Sequence, residues 1–180
     1  FKFFCQTYFP HYCAAQPGIL HDFLFVALPA LVDDPRGRKL ALAAPRGEAK
    51  STIATQLFAL WCVVRACKPY IVIVMDALDQ ALPMLEAIKA ELDSNPRLQQ
   101  DFPEACGQGR VWQQRVILTT NNIKIEVFGS GKRMRGLRHG PHRPGLVLLD
   151  DLENDENVRS PQQRDKLDNW LKKTVLKLGA

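Results

Sequence analysis

Ala44-Pro45-Arg46-Gly47-Glu48-Ala49-Lys50-Ser51-Thr52 is the stretch whose residue types and spacing can do chemistry. An apolar run, Lys39-Leu40-Ala41-Leu42-Ala43, precedes it, and a long helical pattern follows. Strand, tight loop and helix in that order expose backbone N–H groups and a helix N-terminus to an anion, and the helix dipole favours negative charge there. Lys50 supplies a mobile positive charge for the β- and γ-phosphates of a nucleotide, and the Ser51 hydroxyl can ligate Mg²⁺. The match to G-x-x-x-x-G-K-[ST] is partial: Ala44 and Ala49 replace the two glycines, and Gly47 alone remains inside the loop. By itself the loop reads equally well as an ordinary strand-to-helix turn.

A second motif changes that balance. Leu146-Val147-Leu148-Leu149-Asp150-Asp151 is an apolar run ending in paired carboxylates, the pattern of a buried parallel strand that delivers acids to its C-terminal end. Open α/β sheets bind ligands at that end. Asp150 is the candidate Mg²⁺ ligand, because hard cations take oxygen donors. For the base that orients an attacking water, Asp151 is nearest and Glu153 has the longer reach, so both stand as candidates. Arg46 reads equally as a γ-phosphate contact and as an ion pair with Glu48.

Arg133, Arg135, Arg138 and Arg143 crowd a Gly-rich segment, Gly129 to Gly145, that has too few apolar residues to bury a core. They read as an arginine finger, as contacts to a DNA backbone, or as a solvated basic loop. His139 and His142 lack the carboxylate or cysteine neighbours of a metal site. His21 reads as a helix-surface or capping residue rather than a ligand. Tyr8, Phe9 and Pro10 read as packing, or as the lining of an adenine pocket.

The elements that must position these groups follow from periodicity. Residues 1 to 18, broken by Pro10 and Pro17, read as an irregular lead-in. Ile19 to Val32 is helical, with Pro29 expected to end or bend it. Thr52 to Cys67 places Ile53, Leu57, Leu60, Trp61 and Val64 near helical spacing, and Tyr70 to Met75 is a central strand. Leu82, Leu85, Ile88 and Leu92 mark a further helix, with Pro83 expected in its first turn. Asn95 to Arg110 reads as a loop. Val116 to Thr120 and Ile123 to Phe128 flank Asn121-Asn122 as a hairpin or close antiparallel pair. Asn154 to Asn157 reads as a solvated turn, and Ser160-Pro161 opens a last amphipathic helix. Alternating strands and helices predict an α/β fold with a mainly parallel sheet and helical crossovers.

The 180 residues suit one core, and 46% hydrophobic with 24% charged content is that of a globular chain. No apolar run is long enough to span a membrane, so no membrane partner is expected. A net charge of +5 permits contact with nucleic acid without requiring it. The five cysteines show neither a C-x-x-C pair nor zinc spacing, which favours free thiols; Cys62 and Cys67 fall in the apolar helical pattern as core filler.

Pro45 to Thr52, Gly129-Ser130-Gly131 with Arg135-Gly136, and Leu146 to Asp151 with Glu153-Asn154 together resemble the ATPase domain of the large terminase subunit of tailed bacteriophages. The resemblance covers most of the chain, and phosphate loops of the Pro-Arg-Gly-x-x-Lys-Ser kind are typical of that family. It implies a three-layer P-loop NTPase fold of the ASCE/RecA-like type. Residues 1–38 would pack on an ATPase core formed by 39–180. It implies ATP and Mg²⁺ as cofactors, with Ala44 to Thr52 around the phosphates, Ser51 and Asp150 at the metal, and Asp151 in the place of the catalytic glutamate. Arg135 matches an arginine that acts on a neighbouring subunit's nucleotide. The implied partners are double-stranded DNA, a portal protein, a small terminase subunit and further copies in a ring on the procapsid, in the host bacterial cytoplasm. Two departures stand out. Asp151 occupies a position that is usually Glu, and the family's coupling motif and nuclease domain are expected only beyond Ala180, so nuclease activity is not assigned to these residues.

Overall fold

A computed structural model describes residues 1–34, 36–45, 47–153 and 160–178. Its centre is β1 (Tyr70–Met75), five of whose six residues are buried. A run of aromatic and β-branched residues with no polar member can only be covered on both faces. β1 pairs in parallel with β4 (Lys124–Gly129) on one side and with β5 (Leu146–Leu149) on the other. β3 (Val116–Leu118) pairs antiparallel with β4, and β2 (Val111–Trp112) antiparallel with β3, so the order is β2-β3-β4-β1-β5.

This is a mixed five-stranded sheet, where a mainly parallel one was expected. The connection through Asn121-Asn122 is the reason. It is far shorter than the dozen or more residues a parallel return needs, so the chain turns back at Asn122 (φ 65°) as the expected hairpin. The strand expected over Lys39–Ala43 is also not formed: these residues carry no regular secondary structure. Alanine is a poor strand former, and only Leu42 packs on the core.

Alternation along the strands builds the layers. Ile71, Ile73, Ile125 and Val127 face one core, which they share with the helices α1 (Lys2–Tyr8), α2 (Ile19–Asp33), α3 (Phe58–Val64), α4 (Leu78–Ser94) and α5 (Pro96–Asp101). Tyr70, Val72, Val74 and Phe128 face the other, closed by Met134 and by Val175 and Leu178, which follow α6 (Pro161–Lys173). Helices therefore flank both faces.

Several local expectations shift. The lead-in contains α1, whose Phe4 and Tyr8 are buried, so it forms part of the main core. α2 runs through Pro29 to Asp33, because burying Leu28 and Val32 outweighs the lost hydrogen bond. α4 starts at Leu78, which places Pro83 beyond its first turn. The expected loop after α4 holds α5, capped by the Asn95 side chain, which accepts hydrogen bonds from the Arg97 and Leu98 N–H groups. Asn-Pro is a sequence-level cap signal that a loop reading overlooks. The expected turn at Asn154–Asn157 lies outside the described residues.

Candidate functional site

Three parallel strands end side by side, and each delivers a polar residue. Asp150 follows β5; its N–H bonds the Val74 carbonyl at 2.9 Å and the residue is 4% exposed. Its carboxylate accepts a hydrogen bond from Thr55 Oγ1 at 3.1 Å. Asp76 follows β1, and its N–H bonds the Asp151 carbonyl at 3.1 Å. Ser130 follows β4; its N–H bonds the Met75 and Asp76 carbonyls, and its Oγ donates to the Asp76 carbonyl at 2.9 Å. Asp151 takes φ 46°, a left-handed backbone that turns the chain away from the strand at the edge of the cleft.

Beside these acids opens a cleft of about 710 Å³. Lys39, Lys50, Lys68, Asp150 and Asp151 line it, together with the edge of β5. Arg36 and Arg38 lie on its rim, but both are tied to Asp34, with Arg38 Nε 2.7 Å from the Asp34 carboxylate. The hydrogen bonds from Arg36, then those from Arg38, hold the Asp34 carboxyl below its ordinary value. Among the described residues, Lys39, Lys50 and Lys68 have no carboxylate partner, so the cleft presents cationic side chains next to a buried acid.

The helix behind Lys50 is irregular. It is helical from Lys50 through Val64, but Thr52–Leu57 is π-turned, with the Phe58 N–H reaching the Ile53 carbonyl. Such wide turns cluster at functional sites. Thr55 occupies this stretch and bonds Asp150, whereas Ser51, expected to share a metal with Asp150, does not line the cleft. Gln56 follows, buried, with its Nε2 unpaired.

The loop has its own anchors. His21 Nδ1 accepts from the Gly18 N–H at 2.9 Å, so Nε2 carries the proton and donates to the Glu48 carbonyl at 2.9 Å. His21 thus caps α2, as expected, and also holds the loop. Gly47 (φ 89°) and Ala49 (φ 48°) are both left-handed, so Ala49 adopts at a cost the conformation that a glycine at this position would take freely.

The expected site residues divide. Lys50, Asp150 and Asp151 come together in the cleft. Ala44, Pro45, Gly47, Glu48 and Ala49 run up to it as loop, and Ser51 and Thr52 do not line it, although Ala54, Thr55 and Phe58 on the same helix do. Glu153 is exposed and does not line it. Arg135 lines a separate depression of about 400 Å³, with Arg143, Lys173 and Lys177. Arg46 lies outside the described residues. Thr55 and Asp76 were missed. Asp76 carried the signal used for Asp150, a carboxylate closing an apolar run; Thr55 carried none, because its place depends on the π-turn.

No group of three or more His, Cys, Asp or Glu residues arranged to hold a metal ion occurs among the described residues, and no helix there is long and apolar enough to cross a membrane. No family model, curated protein or solved structure matches the chain.

Proposed function

We propose that this chain is a P-loop NTPase domain that binds and hydrolyses ATP, and that it serves as the motor of a terminase large subunit driving double-stranded DNA into a procapsid. One observation carries the nucleotide reading: Lys50, at a helix start, and the buried Asp150, at the C-terminal end of a parallel strand, meet in one cationic cleft. The motor reading rests on the sequence resemblance and on the +5 charge. In this reading the portal protein, the small terminase subunit and a ring of further copies are the partners.

The donor set suits a nucleotide with Mg²⁺. Asp150 and the hydroxyl of Thr55 or Ser51 are oxygen donors, which hard cations prefer. Lys39, Lys50 and Lys68 supply positive charge for the phosphates, and a bound Mg²⁺ would neutralise charge developing on them. Thr55 orients the Asp150 carboxylate, whose burial strengthens its pull on a cation. Asp151, lining the cleft, is the nearer candidate base for water; Glu153 remains the longer-reaching alternative.

A second reading is a nucleotide- or DNA-binding module without turnover. It is favoured by the unpaired Lys39–Ala43 segment and by the position of Arg135 outside the cleft. ATP hydrolysis separates the two, assayed with and without double-stranded DNA and with Lys50→Ala as control. Turnover that DNA stimulates and Lys50→Ala abolishes supports the motor. ATP binding without turnover, with DNA present, supports the binding module. Neither ATP binding nor turnover, together with no DNA binding, removes both.

A further inference from the structure

α3 closes with two hydrogen bonds. Ala66 takes φ 50°, its N–H bonds the Val63 carbonyl at 3.0 Å, and the Cys67 N–H bonds the Cys62 carbonyl at 3.3 Å. This is the Schellman arrangement, which lays the side chain following the left-handed residue against one inside the last turns of the helix. That contact is ordinarily apolar. Here both partners are cysteines: Cys62 fully buried, Cys67 half-buried and reachable from solvent. Cys67 Sγ donates to the Cys62 carbonyl at 3.7 Å, which holds its sulfur against the residue it faces in the helix. Arg65 and Lys68 flank Cys67 and favour its anion. Arg65 is held over the Trp61 ring, 4.5 Å from its centroid.

We propose that Cys62 and Cys67 form a redox-active dithiol that hydrogen peroxide converts to a reversible disulfide, with Cys67 as nucleophile and Cys62 as resolving thiol. The Cys67 thiolate attacks one peroxide oxygen, the O–O bond breaks, and the leaving oxygen takes a proton from solvent to become water. Cys67 is then a sulfenic acid. The Cys62 sulfur attacks the Cys67 sulfur, the S–O bond breaks, and the hydroxyl leaves as water with the Cys62 proton. The two thiols have lost two electrons, and the peroxide has become two waters. The neighbouring Cys62 thiol, then Arg65 and Lys68, bring the Cys67 thiol down to about 7, while the same pairing and burial push Cys62 up. Cys13, also half-buried, is pushed up by burial alone, which makes it an internal reference. The inference does not depend on the nucleotide reading.

The test treats the folded full chain with hydrogen peroxide, removes the peroxide, unfolds the chain in urea, caps remaining thiols with iodoacetamide, and maps the peptides by mass. A Cys62–Cys67 disulfide that dithiothreitol reverses, with Cys5, Cys13 and Cys106 capped, is the expected result. No link, a link between other cysteines, or Cys67 carried to sulfinic acid with Cys62 still free overturns the proposal. A second measurement follows iodoacetamide capping against pH without peroxide. At pH 7, Cys67 is expected to react about fivefold or more faster than Cys13, the larger thiolate fraction outweighing its lower intrinsic nucleophilicity. Cys62→Ala is expected to move the Cys67 profile to higher pH. Equal rates at Cys67 and Cys13, or a profile that Cys62→Ala leaves in place, refute the pair.

Discussion

Single residues at the cleft and behind it carry costs that substitution can reveal. Ala49 and Ala66 both hold left-handed backbones, at φ 48° and 50°. A Cβ there costs roughly 1 kcal/mol. Ala66→Gly, which keeps both closing hydrogen bonds of α3, is expected to raise stability by about that amount, read as a higher urea midpoint at unchanged slope. Thr55→Val keeps the shape but leaves the Asp150 carboxylate without its hydroxyl donor. It is expected to cost about 1–3 kcal/mol by the same measurement, and a cost below about 0.5 kcal/mol would mean that the bond contributes little. Gln56→Met removes an amide whose Nε2 is buried and unpaired, so it is expected to be neutral or stabilising. Of these positions only Ala49 was visible beforehand as a departure from the loop pattern. The backbone angles that make it costly are a property of the folded chain.

At the scale of elements, the balance lies between periodic burial and local irregularity. α2 buries Leu24, Phe25, Leu28 and Val32, yet presents Ile19, Phe23 and Val26 to solvent, the last 75% exposed. Leu28→Ala is expected to cost about 2–5 kcal/mol, whereas Val26→Ser should stay within about 0.5 kcal/mol; comparable losses at both positions would mean that the exposed stripe is covered in solution. The helices were legible because apolar spacing and capping residues are local signals. The π-turned stretch was not, since one residue more per turn leaves the apolar residues close to the same face. It is nevertheless this irregular stretch that holds Thr55, the hydrogen-bond partner of Asp150.

For the molecule as a whole, the second sheet face stores a dependence on alkaline pH. Tyr70 lies against Glu126 and Lys124, and burial, then its hydrogen bond to Glu126, raises the phenol above its ordinary value of 10.0. A group whose folded value is raised contributes stability that is full below its unfolded value and lost as pH rises through the folded one. The thermal midpoint is therefore expected to fall as pH rises above about 10, and to fall less steeply in Tyr70→Phe; equal slopes would place the alkaline sensitivity elsewhere. Cys5, pushed by burial to about 12, and Cys106, to about 11, add a part that Tyr70→Phe leaves in place.

The sequence by itself marked β1, β3, β4 and β5 and the helices α2, α3, α4 and α6, where the short hairpin must fall, and that Lys50 and the Asp150-Asp151 pair stand at element ends. Hydrophobic period, turn residues and caps act within a few residues of themselves, so they are written locally. Tertiary structure decided everything that depends on which strand lies beside which: a mixed sheet rather than a mainly parallel one, a Lys39–Ala43 segment left out of it, Asp76 bonded to Asp151 on one side and to Ser130 on the other, and Arg135 placed in a different depression from Lys50. These outcomes come from competition among long-range packings, in which a weak strand former such as Leu-Ala-Leu-Ala yields to contacts that no single stretch of sequence contains.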